Sequence, residues 1–528
     1  MKNSSIALAA VLSSALVTGG WLMERGSRAP VRDLASRVHL FDEVFQHVRR
    51  DYVDTLSDST LYRHAIDGAL RELHDPHTVF LDPRRLTSLD ESTTGRYAGV
   101  GIQIDVRDSG VTVIGTLPGS PAEQAGIGTG DRIVTIDGKP VHGLTSGELL
   151  STLRGTDGTT VHVVIERAGI AERLPFALVR RVIEVNPAQH ALILRDGIGY
   201  VALAIFSAAA AADLAHAIDS LRSVGARSLV LDLRGDPGGL LAQGVEVADL
   251  FLDARQGIVS TRGRVPDETQ SFTDRAPQRW PDMPMVVLTD SSTASASEIV
   301  AGALQDHDRA LLVGTATYGK GSAQRVFRVD GGALKLTTAL WYTPSGRSID
   351  RPRVRVTDDT EDVPPKPDSA ARRPAFRTDA GRTVLGGGGI VPDVEVPKRA
   401  PSAADRALQV ALGAKAPRFR DAVVEYALAA SAAHVVSDPA FTVTPAMRDA
   451  LFLRMQSRGI DLRRAVYDSA APLVDRALTS QVMRYAFGRQ AEFLRSVHDD
   501  PTVARAVALL DGVHTPAALL ARAPRAQR

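Results

Sequence analysis

The chain has 528 residues, a formal net charge of +1 and no cysteine. That length accommodates several domains at roughly 100–200 residues each, and a 44% share of hydrophobic residues supplies their cores. The missing cysteines exclude disulfides and thiolate zinc sites, and no basic stripe with interleaved aromatics marks a nucleic-acid surface. No nucleotide loop, metal-ligand spacing or internal repeat stands out, so neither cofactor, metal nor nucleic acid is expected.

Residues 1–23 form a targeting segment: Lys2 supplies the positive start, and Ile6 to Val17 is apolar apart from Ser13 and Ser14. A cleaved signal peptide and an uncleaved anchor both fit, the run being about long enough to span a bilayer. Either one exports the rest of the chain, to the periplasm or another extracytoplasmic space, with the anchor holding it at the inner membrane. Residues 32–94 read as a helical region. Leu40, Phe41, Val44, Phe45, Val48 and Tyr52 fall on one amphipathic face, and a second helix is expected over Thr60 to Leu73. His74-Asp-Pro-His77 breaks the pattern and reads as a proline turn rather than a metal site.

Residues 95–181 alternate as a small β-rich module: GVGIQIDV, VTVIGTL, RIVTIDG and VHVVIERA, separated by PGSPAEQAG, DGK and GTDGT. A short helix at Pro121 to Ala125 and a longer one at Ser146 to Leu153 interrupt the strands. This order resembles a PDZ domain. The resemblance implies a peptide-clamping loop over Tyr97, Gly99, Val100, Gly101 and Ile102, whose N–H groups hold a terminal carboxylate beside a strand edge open to peptide addition. The plain alternative is that Gly99 and Gly101 merely start a strand. Ile102 and Leu149 would line a pocket for an apolar C-terminal residue. Arg154, ending the second helix, could couple the module to its neighbours or sit solvated.

Residues 182–397 resume larger α/β units. IGYVALAIF reads as a strand, Ala208 to Ser223 as an Ala-rich helix, and SLVLDLRG as a strand ending in Gly235-Asp-Pro-Gly238-Gly239; Gly257 to Val265 suggests two short strands. PMVVLTDSSTASASEIVAGALQDHDRALLVGTATYGKGSAQ then combines a buried strand (Met285 to Thr289), a serine-rich loop, a helix (about Glu298 to Asp306), a strand (Ala310 to Val313) and Lys320 between glycines. Ser291, Ser292, Ser295 and Ser297 crowd the helix start, where unpaired N–H groups and the dipole favour an oxyanion. Taken alone, Ser295-Ala-Ser-Glu298 is an ordinary capping box, and Lys320 an ordinary solvated turn. His307, between charged residues after the helix, reads as a surface residue.

STASASEIVAGALQD and YGKGSAQ together resemble the carboxy-terminal processing proteases, serine peptidases with a Ser–Lys dyad. The resemblance implies that Ser295 is the nucleophile, Lys320 the general base and Gln324 the residue orienting the lysine. A free lysine, with a pKa of about 10.4, is protonated at neutral pH, but burial favours the neutral amine that can take a serine proton. Asp290 and Asp236 stand where that family often has Asn; the former could add a local charge near the site but replaces no dyad member. The LDLRGDPGGLL segment extends the match and supplies Gly238 or Gly239 as a second oxyanion donor beside the N–H of Ala296. The likeness runs from about Arg32, through the DPH turn, to LKLTTALWYTPSGRSI and GRTVLGGGGIVPDVEV, ending near Pro397. Between those two stretches, Asp358 to Pro374 is Pro- and charge-rich and reads as a surface loop.

Residues 400–528 carry helical periodicity in RDAVVEYALAAS, MRDALFLRMQSRG and VMRYAFGRQAEFLRSV; this helical domain could brace the core, mediate oligomerisation or receive an adaptor. The expected architecture is α/β and multidomain: N-terminal helices, an inserted PDZ domain, an α/β Ser–Lys protease core and a C-terminal helical extension. The expected function is a serine endopeptidase that reads apolar protein C-termini and cuts near them, with an adaptor or a second copy as further partner. The competing readings are a catalytically silent PDZ-bearing scaffold and a non-proteolytic acyl-processing enzyme on a related core.

Overall fold

The computed structural model describes residues 35–107, 110–167, 170–188, 190–351 and 373–523. The targeting segment lies outside them, as does the Pro- and charge-rich stretch from Asp358 apart from its last two residues. Among the described residues no helix is long and apolar enough to cross a membrane.

The described residues divide into two compact units, one within residues 1–83 and 324–337, the other within residues 84–323 and 338–528. In the first, the helix over 35–51 meets the helix Asp58–Arg71 through Phe45, which is buried and sets its ring, tilted, 4.2 Å from that of Tyr62. Leu40, Phe41 and Val44 on the same helix remain exposed. The DPH sequence is a turn: Asp75 accepts hydrogen bonds from the His77 N–H and the Thr78 hydroxyl. The strand Val79–Leu81 then pairs antiparallel with Ala333 to Lys335.

The second unit holds the PDZ-like module, the α/β core and the C-terminal helices. In the module, the strands Ile102–Arg107, Gly110–Thr116, Arg132–Ile136, Thr160–Glu166 and Leu174–Val179 form one antiparallel sheet in that order. Alternate residues point inward, as the two-residue strand period requires: Val111 and Val113, then Val161, Val163 and Ile165, are all buried in the module's core. Chain entry and exit pair with each other outside this sheet, Arg96–Gly99 running antiparallel to Arg181–Glu184.

In the core, His190–Arg195 runs antiparallel to Ile198–Ala202, and Ser228–Asp232, Met285–Thr289, Leu311–Gly314 and Val394–Glu395 continue the sheet in parallel. Parallel strands are covered on both faces. Leu229, Leu231, Met285, Val287 and Leu312 face the helices Ala210–Ser223, Leu241–Asp249 and Ala296–Asp306. Val230, Val286, Leu288, Leu311 and Val313 face the opposite way, and there the covering side chains are Val503, Ala506, Leu509 and Leu510 of the C-terminal helix Pro501–Leu510. The extension is thus the second layer of the core. It also reaches the module: Ile114 packs on the extension's own cluster, Arg489 hydrogen-bonds Gln103, and Arg107 lies 3.8 Å from Asp421.

Two expectations are corrected. Gly257–Gly263 is one strand, not two; its partners are Gln270–Thr273 and Ala339 to Tyr342. His307 is no solvated residue. It caps the helix Ala296–Asp306 with a side chain 9% exposed, held between the Asp379 carboxylate and the Gly257 carbonyl, each at 2.7 Å.

Candidate active site

The strand Met285–Thr289 delivers the chain to a sharp turn, and the helix Ala296–Asp306 leaves it. The helix begins two residues earlier than its apolar pattern suggests. Its cap, Ser295, has φ +59° and ψ −115°, a region that a side chain resists at a cost of about 1–3 kcal/mol. Such strain at a strand-to-helix turn lifts a serine clear of the sheet. The four serines separate by environment. Ser291 and Ser292 are exposed on the loop. Ser297 is fully buried and donates its hydroxyl to the Asp236 carbonyl at 3.1 Å. Ser295 alone is half-buried at the helix start.

Glu298 is the residue whose role the sequence conceals. As the capping box predicts, its carboxylate accepts the Ser295 N–H, at 2.8 Å. The same oxygen also accepts the Lys320 N–H at 2.9 Å, and its other oxygen accepts the Gly319 N–H at 2.6 Å and the Thr317 hydroxyl at 2.5 Å. One fully buried carboxylate therefore joins the serine turn to the lysine turn. Burial pushes this carboxyl above its ordinary range, against the pull of four donors. Only the helix-capping part was visible as a motif; the two amides arrive from more than 20 residues away.

The lysine turn is fixed from its other side as well. The Lys320 carbonyl accepts the Trp341 indole N–H at 3.0 Å, and the Gly321 N–H reaches Asp350 at 3.1 Å. Gly319 has φ +87°, and a side chain there would run into Arg351 and the backbone of Gly389. Lys320 is half-buried. Gln324 belongs to the first compact unit, where its amide donates to the Thr337 hydroxyl at 3.2 Å.

The glycine loop after Ser228–Asp232 comes against the serine. A Cβ added to Gly238 would stand 2.8 Å from the Ser295 Cβ and 2.8 Å from the Ala296 nitrogen. One added to Gly239 would strike the Phe206 backbone instead. Gly238 is thus the glycine beside the serine. Its N–H donates to Asp236 Oδ1 at 2.7 Å. The same loop is anchored to the C-terminal extension: Arg234 pairs with Asp232 and with Asp500, each at 2.6 Å, and Asp500 caps the helix Pro501–Leu510 through the Thr502 and Val503 N–H groups. Asp290 adds no loose charge. Burial disfavours its ionised form, but the Ser292 and Gly235 N–H groups and Lys398 hold its carboxyl below the ordinary range.

The peptide-clamping residues fare less well. Tyr97 and Gly99 lie in the entry–exit ribbon, paired with Ile183 and Arg181, not at the mouth of the PDZ sheet. Ladder pairing there takes backbone groups that a peptide would need. Val100 and Gly101 do lead into Ile102–Arg107, an edge strand of the sheet. Gly101 has φ +74° and passes so close to Ser120 that no Cβ fits. Leu149 is fully buried and Ile102 nearly so; both are core side chains rather than walls of an open pocket. Arg154 is engaged: it pairs with Glu91 at 2.5 Å and lies 4.6 Å over the Tyr97 ring.

A strained serine at a strand-to-helix turn, tied through one buried carboxylate to a lysine turn, is the framework of a serine peptidase. Residues 197–361 match the model of peptidase family S41, and residues 113–167 match a PDZ domain. A carboxy-terminal-processing protease of Bartonella bacilliformis is 40% identical over 314 residues, covering 58% of this chain and 71% of that protein. The carboxy-terminal processing protease CtpA of Bacillus subtilis is 32% identical, covering 66% and 75%, and a carboxyl-terminal-processing protease of Synechocystis is 39% identical, covering 58% and 74%. The chain belongs to the carboxy-terminal processing proteases, PDZ-bearing serine peptidases of family S41.

Proposed function

We propose that Ser295 is the nucleophile and Lys320 the base of an endopeptidase that engages protein C-termini and cuts near them. Ser295 Oγ attacks the scissile carbonyl carbon while Lys320 Nζ takes its proton. The carbonyl oxygen, now negative, is held by the Ala296 N–H at the helix start, with Gly238 as second donor. The C–N bond breaks, the amine leaves with the proton from Lys320, and an acyl ester remains on Ser295. Water, deprotonated by the same lysine, then attacks the ester and frees the serine. The observation that carries this reading is Glu298, whose one oxygen takes main-chain N–H groups from both Ser295 and Lys320.

The substrate's C-terminal carboxylate docks at Val100 and Gly101 and its last residues add to the edge of Ile102–Arg107. This requires Ile102 and Leu149 to move apart and admit an apolar side chain. Arg154, paired with Glu91, reports the module's position to the adjoining helix. The apolar segment at residues 6–17 exports the chain to an extracytoplasmic space. An adaptor or a second copy covers the exposed Leu40, Phe41 and Val44 face.

Carboxylate capture through hydrogen bonds to a charged group contributes about 1.5–3 kcal/mol. Two peptides of the same internal sequence, one ending in a free apolar carboxylate and one amidated, should therefore differ about tenfold to a hundredfold in kcat/KM. Equal rates for the two would contradict C-terminal recognition.

A further inference from the structure

Asp236 is fully buried, and nothing in the reaction above uses it. Its Oδ1 accepts the N–H of Gly238, the glycine beside Ser295, while its Oδ2 has no hydrogen-bond partner among the described residues. Its main-chain carbonyl is separately occupied by the Ala294 N–H and the Ser297 hydroxyl. So the N–H of the glycine that lies against Ser295 is held inside the loop by a carboxyl group two residues away.

We propose that Asp236 is a positioning residue for the oxyanion hole: as a carboxylate it retains the Gly238 N–H, and as a neutral acid it yields that N–H to the acyl oxygen. This rests on Ser295 being the nucleophile. The physical grounds are two. A hydrogen bond to a carboxylate is roughly twice as strong as one to a neutral oxygen, so the charged form competes with the substrate for the donor. A carboxylate buried beside the oxyanion also opposes the negative charge that forms there, and the neutral acid does not. Removing one oxyanion donor costs about 10²–10³ in kcat.

The surroundings make the neutral form accessible. The charged groups of the neighbouring elements are committed elsewhere: Arg234 to Asp232 and Asp500, Asp290 to Lys398, and Glu298 to the Ser295 and Lys320 N–H groups. Burial, partly offset by the hydrogen bond from the Gly238 N–H, pushes the Asp236 carboxyl up to about 7. Below that pH the acid is neutral and the N–H is available; above it the acid is charged and the donor is withheld. Lys320 imposes the opposite dependence, since it acts only when neutral.

Two measurements test this. First, wild-type kcat relative to that of Asp236→Asn should fall above about pH 7, at ~tenfold per pH unit, down to a floor about 10²–10³ lower. Asp236→Asn, permanently neutral, should lose that alkaline fall and keep the acid limb set by Lys320. Second, the dipeptide Pro–Gly occurs only at Pro118–Gly119 and Pro237–Gly238. Labelling proline with carbonyl ¹³C and glycine with ¹⁵N therefore isolates two amides in the full-length protein, Gly119 being the reference. The Gly238 amide should shift with a midpoint near pH 7, and should do so in Ser295→Ala as well. That readout does not depend on which serine is the nucleophile, and it decides the matter if the Asn variant fails to fold. An amide that stays flat between about pH 5 and 9, or one that titrates in the ordinary carboxylate range near 4, overturns the proposal. So does an Asn variant with the wild-type alkaline fall.

Discussion

Lys320→Arg is expected to lose about 10²–10⁴ in kcat while the protein stays folded. Arginine preserves the positive charge but does not deprotonate in proteins, so it cannot take the Ser295 proton; that loss is the usual worth of a positioned general base. The turn should keep its main-chain anchors in the variant: the N–H of residue 320 to Glu298 and its carbonyl to the Trp341 indole. The measurement is single-turnover acylation of a peptide ester alongside a thermal melt. Below about pH 7, where Asp236 is neutral, the wild-type acylation rate should climb with pH as the amine becomes neutral, and in the Arg variant that climb should be absent. Near-normal turnover with Arg would reduce Lys320 to a source of positive charge.

Glu298→Ala should show the largest loss of stability together with loss of turnover. The carboxylate is fully buried and meets four donors. Removing it strands the N–H groups of Ser295, Gly319 and Lys320 and the Thr317 hydroxyl, each unsatisfied group costing about 1–3 kcal/mol. Allowing for relaxation and water entry, a net destabilisation of about 3–5 kcal/mol is expected. Glu298→Gln should recover only part of it, since an amide offers one accepting oxygen and points its NH₂ at donors. Denaturant unfolding of the three proteins checks the order wild type, Gln, Ala. An Ala variant within about 1 kcal/mol of wild type and fully active would show that Glu298 is not what holds the two turns together.

These two residues show where sequence reading reaches and where it stops. The strand, serine turn and helix were legible because β-branched runs, a capping box and an apolar stripe are local signals. The left-handed backbone of Ser295 was not legible, because nothing in Thr293-Ala-Ser295 demands it; the pull comes from Glu298 and from Gly238 lying against the turn. His307 looked solvated because its chain neighbours are charged, yet Asp379 and the Gly257 carbonyl enclose it from distant parts of the chain. Tyr97 and Gly99 read as part of a peptide clamp because the module's strand order begins beside them; their pairing with Ile183 and Arg181 needs a partner more than 80 residues on. The C-terminal helices announced themselves by periodicity. That they cover the second face of the protease sheet was hidden, since a helix stripe does not name the surface it meets.

The central claim, that Ser295 is the nucleophile and Lys320 makes it reactive, is tested most directly by covalent labelling. The full-length protein is treated with a serine-directed phosphonylating reagent, and the adduct is counted by intact mass and located by peptide mapping. A single adduct on Ser295 is expected. Ser297→Ala should keep it, because that hydroxyl is buried against the Asp236 carbonyl, whereas Ser295→Ala and Lys320→Arg should abolish it. An adduct on Ser297 or on a loop serine, or undiminished labelling in Lys320→Arg, would contradict the account.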